Sequence, residues 1–189
     1  MDIRSDSLVV GLARRSLDGD VEARNQLLLE LRPLVTRTVR LIVGAGEAQA
    51  EDAAQDALVD IAKGIGTLKE PQAVTAWSMR VATRRALKTA KRRRLIQRRL
   101  VYAEPPAALA KDDGHLYDLK RAFDSLPPRM RAVAVLRLFA ELSERDTATA
   151  LGCSTGAVKS QLHLARRRLA AELSDRPRQK SVEKGGSDD

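Results

Sequence analysis

The sequence predicts an all-α chain made of two helical domains joined by a flexible linker. Three observations predict it. Hydrophobic residues make up 43% of the chain but aromatics only 3%, so the cores must be built from Leu, Val, Ile and Ala, a choice that suits helices. Apolar residues recur at helical spacing in both halves. Between the halves, the stretch from Ala103 to Gly114 holds Pro105, Pro106, a run of small residues and then Asp112 and Asp113, the composition of a linker.

The expected layout is a first domain over 8–100, a linker over 101–114, a second domain over 115–174 and a polar, disordered tail over 175–189. In the first domain, Asp18, Gly19 and Asp20 form a turn and cap before a helix from about Val21 to Val43. Pro33 lies inside that helix and predicts a kink or a break. Gly44, Ala45 and Gly46 end it. A second helix runs from about Ala48 to Ile65, and Gly64, Gly66 and Pro71 mark a loop. A third helix runs from about Gln72 to Leu100. In the second domain Pro127 and Pro128 start a helix that reaches about Phe139. Two more helices follow, split at Leu151, Gly152 and Cys153, and the last fades near Ser174.

Charge and composition bound the function. The 34 Lys and Arg against 25 Asp and Glu give a net charge of +9, which favours an anionic partner, either nucleic acid or a membrane surface. Cys153 is the only cysteine, so neither an intramolecular disulfide nor a cysteine-built zinc site is expected. It reads as packed rather than redox-active. His115 and His163 are the only histidines, which leaves a metal site without ligands. No apolar stretch approaches the ~18 residues of a membrane span, and the opening residues are not a signal peptide. The expectation is a soluble, cytosolic protein with no cofactor and no catalytic residues.

Three segments carry candidate binding residues. On the second helix Ala54, Ala57, Leu58, Ile61 and Ile65 fall on one side, with Asp52, Gln55, Asp56, Asp60 and Lys63 on the other. That acidic side is either a solvated face or a patch for a basic protein partner; with no His or nucleophile nearby it does not suit catalysis. The third helix carries ten Lys and Arg between Ser78 and Leu100 and no acid. Like charges at this density repel unless an anion neutralises them, and a phosphate backbone does so while releasing counterions. A solvated basic tail and a membrane surface are the other readings. Trp77 opens that helix, either as core packing or as a ring on which a base of opened DNA stacks.

The segment Leu142–Leu169 has the pattern of a helix-turn-helix. Ser143 caps a short helix with Asp146 in the capping-box position, Gly152 allows the turn, and Ser154 or Thr155 caps the next helix. On that helix Val158, Leu162, Ala165 and Leu169 make a narrow apolar stripe. Gly156, Lys159, Ser160, His163 and Arg167 project from the other side, as on a recognition helix in the major groove. Arg166 and Arg168 flank it within reach of phosphates.

Four stretches together resemble a known family. DVEARNQLLLELRPLVTRTVR, AEDAAQDALVDIAK, AWSMRVATRRALKTAKRRR and SLPPRMRAVAVLRLFAELSERDTATALGCSTGAVKSQLHLARRRL are similar, in that order, to segments of the extracytoplasmic-function group of bacterial sigma factors. The resemblance implies that Asp52, Gln55 and Asp56 bind the coiled coil of the polymerase β′ subunit. It implies that the loop from Gly64 to Pro71 holds a flipped base, that Arg80, Arg84 and Lys88, with Trp77, line −10 DNA, and that Gly156, Lys159, Ser160, His163, Arg166 and Arg167 serve −35 DNA. The partners implied are RNA polymerase core, promoter DNA and an anti-sigma factor. The sequence departs from the family where Leu58 and Ala62 replace aromatics, Val74 a common Phe, Arg84 a common Asn and Thr147 a common Ile. Two other classes remain as alternatives: a stand-alone helix-turn-helix regulator, which leaves the acidic helix unexplained, and a nuclease, for which no clustered metal carboxylates speak.

Overall fold

The computed structural model describes residues 3–44, 47–99 and 121–174. The expected linker over 101–114 and tail over 175–189 lie outside the described residues. Helices α1 (Ile3–Leu17), α2 (Val21–Val43), α3 (Glu47–Gly64) and α4 (Val74–Arg99) form the first domain, with single 3₁₀ turns at Ile65–Thr67 and Pro71–Ala73 between α3 and α4. A helical stretch over 121–125 leads to α5 (Pro128–Ala134), which continues in wider π-type turns over Val135–Phe139. Helices α6 (Glu144–Leu151) and α7 (Thr155–Ser174) complete the second domain. Among the described residues there is no strand.

Helix α2 is the centre of the first domain and packs against α1, α3 and α4. Its N-cap is Asp20, whose Oδ1 accepts from the Ala23 amide at 2.9 Å. That bond, with the Arg15 guanidinium beside it, holds the Asp20 carboxyl below its ordinary range. Ala23, Leu27, Leu31, Val35, Val39 and Ile42 recur every three or four residues and are all buried, so the apolar stripe faces one core. Each fully buried Leu or Ile there stabilises by roughly 1.5–3 kcal/mol. Beyond the larger Val74 and Met79, the buried apolar positions of α4 are small, Ala82, Ala86 and Ala90, which lets neighbouring backbones come close. Thr38 Oγ1 points at Met79 Sδ across α2 and α4, at 3.6 Å.

The structure adds one helix and rules out the break that was one of the two outcomes expected at Pro33. Helix α1 is an added element: Val9, Leu12 and Ala13 are buried on it, a helical spacing that a short apolar run between charges conceals. Pro33 does not break α2, which runs unbroken from Val21 to Val43. Proline removes the bond to the carbonyl four residues back. Here that residue is Leu29, 65% exposed, on a side where water can take the vacated acceptor.

The second domain is built on α7, whose Val158, Leu162, Ala165 and Leu169 are buried against α5 and α6. Arg129 Nη2 donates to the Leu151 carbonyl at 3.1 Å and closes the end of α6. The two domains do not stand apart. Helix α6 packs on α4, α5 packs on α2 and α4, and the buried residues form one cluster from Val9 to Leu169.

Candidate functional site

Asp52, Gln55 and Asp56 lie on the exposed side of α3. Along the helix these acids meet no base before Lys63, but the fold brings bases to them from other helices. Arg85, reaching over from α4, donates to Asp60 through Nε (2.6 Å) and Nη2 (2.9 Å) and to Asp56 Oδ2 through Nη1 (3.3 Å). Arg40 of α2 donates to Glu51 Oε2 at 2.6 Å. The hydrogen bond from Arg85 holds the Asp60 carboxyl below its ordinary range against the opposing effect of burial, and Asp60 in turn raises the Arg85 guanidinium. Asp60 is thus an internal strut. Asp52, Gln55 and the outer oxygen of Asp56, whose side chain is 62% exposed, remain open to a partner.

Arg85 also leaves the set of bases free for phosphate. Sequence reasoning missed this because a cross-helix pair has no spacing signal; an acid-free helix beside an acid-rich one was the only hint. The other candidates on α4, Trp77, Arg80, Arg84 and Lys88, stand at intervals of three and four residues and so share one helix face. Trp77 and Arg80 are half-buried, and Arg84 and Lys88 are exposed.

Trp77 is placed by Gly64. A Cβ on Gly64 would come within 3.1 Å of the ring carbon Cζ2 and 3.2 Å of Cη2. The ring therefore lies against the end of α3, at the start of the loop from Gly64 to Pro71. Thr67 Oγ1 donates to the Gly64 carbonyl at 2.7 Å and shapes the same turn. The structure brings the ring, which the sequence left open between core packing and base stacking, against the loop to which the family resemblance gives a flipped base.

The helix-turn-helix has the expected caps. Ser143 Oγ accepts from the Asp146 amide at 3.0 Å and donates to Asp146 Oδ2 at 2.6 Å. Gly152 sits in the left-handed region at φ 61°, where an L side chain costs energy. Ser154 Oγ accepts from the Ala157 amide at 3.1 Å and starts α7. On α7 Gly156, Lys159, Ser160, His163, Arg166, Arg167 and Arg168 are all exposed. A Cβ on Gly156 would meet only Ser154 Oγ, at 3.9 Å, so the fold itself leaves room for a side chain there. Lys159 Nζ lies 3.5 Å from Glu144 Oε2, an exposed pair worth about 0–1 kcal/mol and readily exchanged for DNA. Cys153, in the turn, is half-buried and packs on the core. Among the described residues no group of His, Cys, Asp and Glu is placed to hold a metal, and no helix is long and apolar enough to cross a membrane.

A chain with an acidic helix edge, a basic helix beside it and a capped helix-turn-helix has the parts of a transcription-initiation factor. The profile described as Sigma-70 region 2 matches residues 27–96, and that described as Sigma-70, region 4 matches residues 116–169. Over 165 residues the chain is 32% identical to the ECF RNA polymerase sigma factor SigM of Mycobacterium tuberculosis, covering 82% of this chain and 79% of that protein. A further match, to the RNA polymerase sigma-E factor of Streptomyces antibioticus, is 48% identical over 58 residues; it covers 31% of this chain and spans about a third (32%) of that relative's length. The sigma factor RpoE of Bartonella quintana, solved in complex with the anti-sigma factor NepR, shares the fold at a TM-score of 0.70 and 24% identity, over 82% of this chain and 100% of that one. The chain belongs to the extracytoplasmic-function group of the sigma-70 family of RNA polymerase sigma factors.

Proposed function

We propose that this chain binds RNA polymerase core through Asp52, Gln55 and Asp56 and directs it to promoters, with no covalent chemistry of its own. Trp77, Arg80, Arg84 and Lys88 engage the −10 element, and the loop from Gly64 to Pro71 receives a flipped base. Gly156, Lys159, Ser160, His163 and Arg167 face the −35 element, with Arg166 on phosphate. The observation that carries the reading is the exposed edge of α3. Its carboxylates face solvent beside a basic helix, in a chain of net charge +9, which suits a basic protein surface and not DNA. A stand-alone regulator has no use for that edge. The cytoplasm, where polymerase works, is the compartment implied. An inhibitory protein partner, as RpoE has in NepR, is proposed for this chain as well.

The test is retention of purified RNA polymerase core on immobilised chain. Asp56→Arg places a base where a basic partner is expected, and a like-charge contact at an interface costs several kcal/mol. Retention should fall by at least about tenfold, the equivalent of 1.4 kcal/mol, with the helical circular dichroism unchanged. A folded Asp56→Arg variant that retains core as well as wild type removes the partner assignment.

A further inference from the structure

The outward surface of α7 is polar and basic, with one exception. Among the described residues from Thr155 to Arg168, Leu164 alone carries an exposed apolar side chain. It is 45% exposed, while the core takes Val158, Leu162, Ala165 and Leu169. Leu164 is not a shoulder of that buried stripe. At about 100° per residue it lies about 130° around the helix from the centre of the stripe. It lies only about 40° from Ser160 and about 60° from Arg167, on the same outward face. Along that face Ser160 stands one turn before it, and Arg167 and Arg168 one turn after it, all exposed. Arg166, Arg167 and Arg168 follow it almost directly in the chain, so a polyanion that they neutralise is held against the leucine as well. An isolated leucine on a protein surface is ordinary; one set between the donors of a recognition helix is not.

We propose that Leu164 is a specificity-determining residue of the −35 contact and reads the 5-methyl group of a thymine in the major groove. The inference rests on the functional reading above and adds to it what one position of the reading face recognises.

The chemistry follows from what each base shows in that groove. Guanine presents N7 and O6, adenine N7 and an amino group, and cytosine an amino group; thymine alone presents an apolar group, its methyl, beside O4. A leucine side chain makes no hydrogen bond. Set against an amino group or a ring acceptor, it strips water from a polar group and forms no bond in its place. Set against a methyl, it removes apolar surface from water on both partners. One helical turn advances about 5.4 Å and one base pair about 3.4 Å, so the thymine lies within roughly one or two base pairs of the base that Ser160 faces. A base at position 164 would instead take a phosphate and strengthen binding to every sequence. Leucine there adds discrimination without general affinity.

The experiment uses the full chain with purified RNA polymerase core. A promoter duplex is selected from a pool randomised over the −35 element. Each thymine of that element is then replaced, one at a time, by deoxyuridine, which differs only in lacking the methyl. At one or two adjacent positions the replacement should weaken wild-type binding about fourfold, the effect of burying one methyl-sized group. Leu164→Ala should bind the parent duplex at least about fourfold more weakly and lose the response at those positions only. Leu164→Arg should lose the same response, bind all sequences more tightly and steepen the salt slope by about one. Position 164 is exposed, and Ala and Arg are both strong helix formers; circular dichroism checks each variant, and either one alone decides. Wild type indifferent to every thymine methyl overturns the proposal, as does a folded variant with the wild-type thymine profile. If Leu164→Ala weakens retention of core and leaves that profile intact, the leucine serves a protein contact and the proposal falls. Failure of core to bind removes the functional reading. The thymine series on a duplex selected by the chain alone then decides the role of Leu164, and a chain that selects no duplex overturns it.

Discussion

Arg85 of α4 grips Asp60 of α3 with two donors, at 2.6 and 2.9 Å, and touches Asp56 with a third, at 3.3 Å. One side chain thus ties the helix with the acidic edge to the helix with the basic face. It neutralises the inner part of the edge and leaves the outer part, Asp52 and Gln55 with half of Asp56, pointing outward. The geometry of the edge depends on a residue from another helix.

Arg85→Met should therefore lower stability near neutral pH by about 1 kcal/mol or less, the range for partly exposed pairs. The sign of the pH dependence follows from Asp60, whose folded pKa lies below the ordinary 3.8. Its pairing contributes fully above pH ~4 and is lost as pH falls and Asp60 protonates in the folded chain. Urea unfolding of wild type and Arg85→Met should differ near neutral pH and converge once the pH lies below the lowered folded pKa of Asp60. A gap that persists in acid would show that Arg85 acts through packing of its stem and not through charge.

Trp77 is the only tryptophan, so its fluorescence reports on one place. Gly64→Ala sets a Cβ 3.1 Å from its Cζ2, and the ring must give way. Overpacking costs about 1–3 kcal/mol, while Ala gains about 1 kcal/mol over Gly in a helix. The ring need move only by a few tenths of an ångström, so the expected outcome is a small change in stability with a small shift of the emission maximum. An unaltered spectrum would mean that the ring is not seated on Gly64.

Thr147 is fully buried in α6, and its Oγ1 has no hydrogen-bond partner. Stranding a hydroxyl costs about 1–3 kcal/mol, and replacing it by an apolar group of the same shape recovers much of that. Thr147→Val should raise stability by about 1 kcal/mol, read as roughly 2–4 °C in melting temperature for a chain of this size. A fall in melting temperature would place a buried water on that hydroxyl. Thr147→Ile, one methylene larger, should gain less, because the site is filled.

On α7, position should separate sequence reading from phosphate binding. Arg167 projects opposite the buried stripe and Lys159 from one flank of the same exposed face, and a side chain on base edges contributes roughly 1–3 kcal/mol of discrimination. Lys159→Ala or Arg167→Ala should change preference at particular −35 positions. Arg168→Ala, toward the edge of that face, should weaken all sequences about equally and flatten the salt slope. Binding of each variant to a panel of −35 point mutants at two salt concentrations decides. Three wild-type preference profiles would move the reading face elsewhere.

The local pattern of residues was enough to specify the helices other than α1, the caps of α2, α6 and α7, and the outward faces of α3 and α7. Val158, Leu162, Ala165 and Leu169 had to point inward wherever α7 was placed, because 3.6 residues per turn puts them on one stripe. Ser143, Gly152 and Ser154 act on backbone groups within a few residues of themselves, so their roles are readable in order along the chain. Pairings between distant segments left no such trace. That Arg85 holds Asp60, that Trp77 rests on Gly64 and that Arg131 reaches Ile42 depends on how separate helices approach one another. Each of these contacts joins residues between 13 and 89 positions apart, and no periodicity within a helix encodes such a meeting. Packing chooses it: small residues on α4 let helices come close, and charged side chains caught near the contact must find partners or pay for burial.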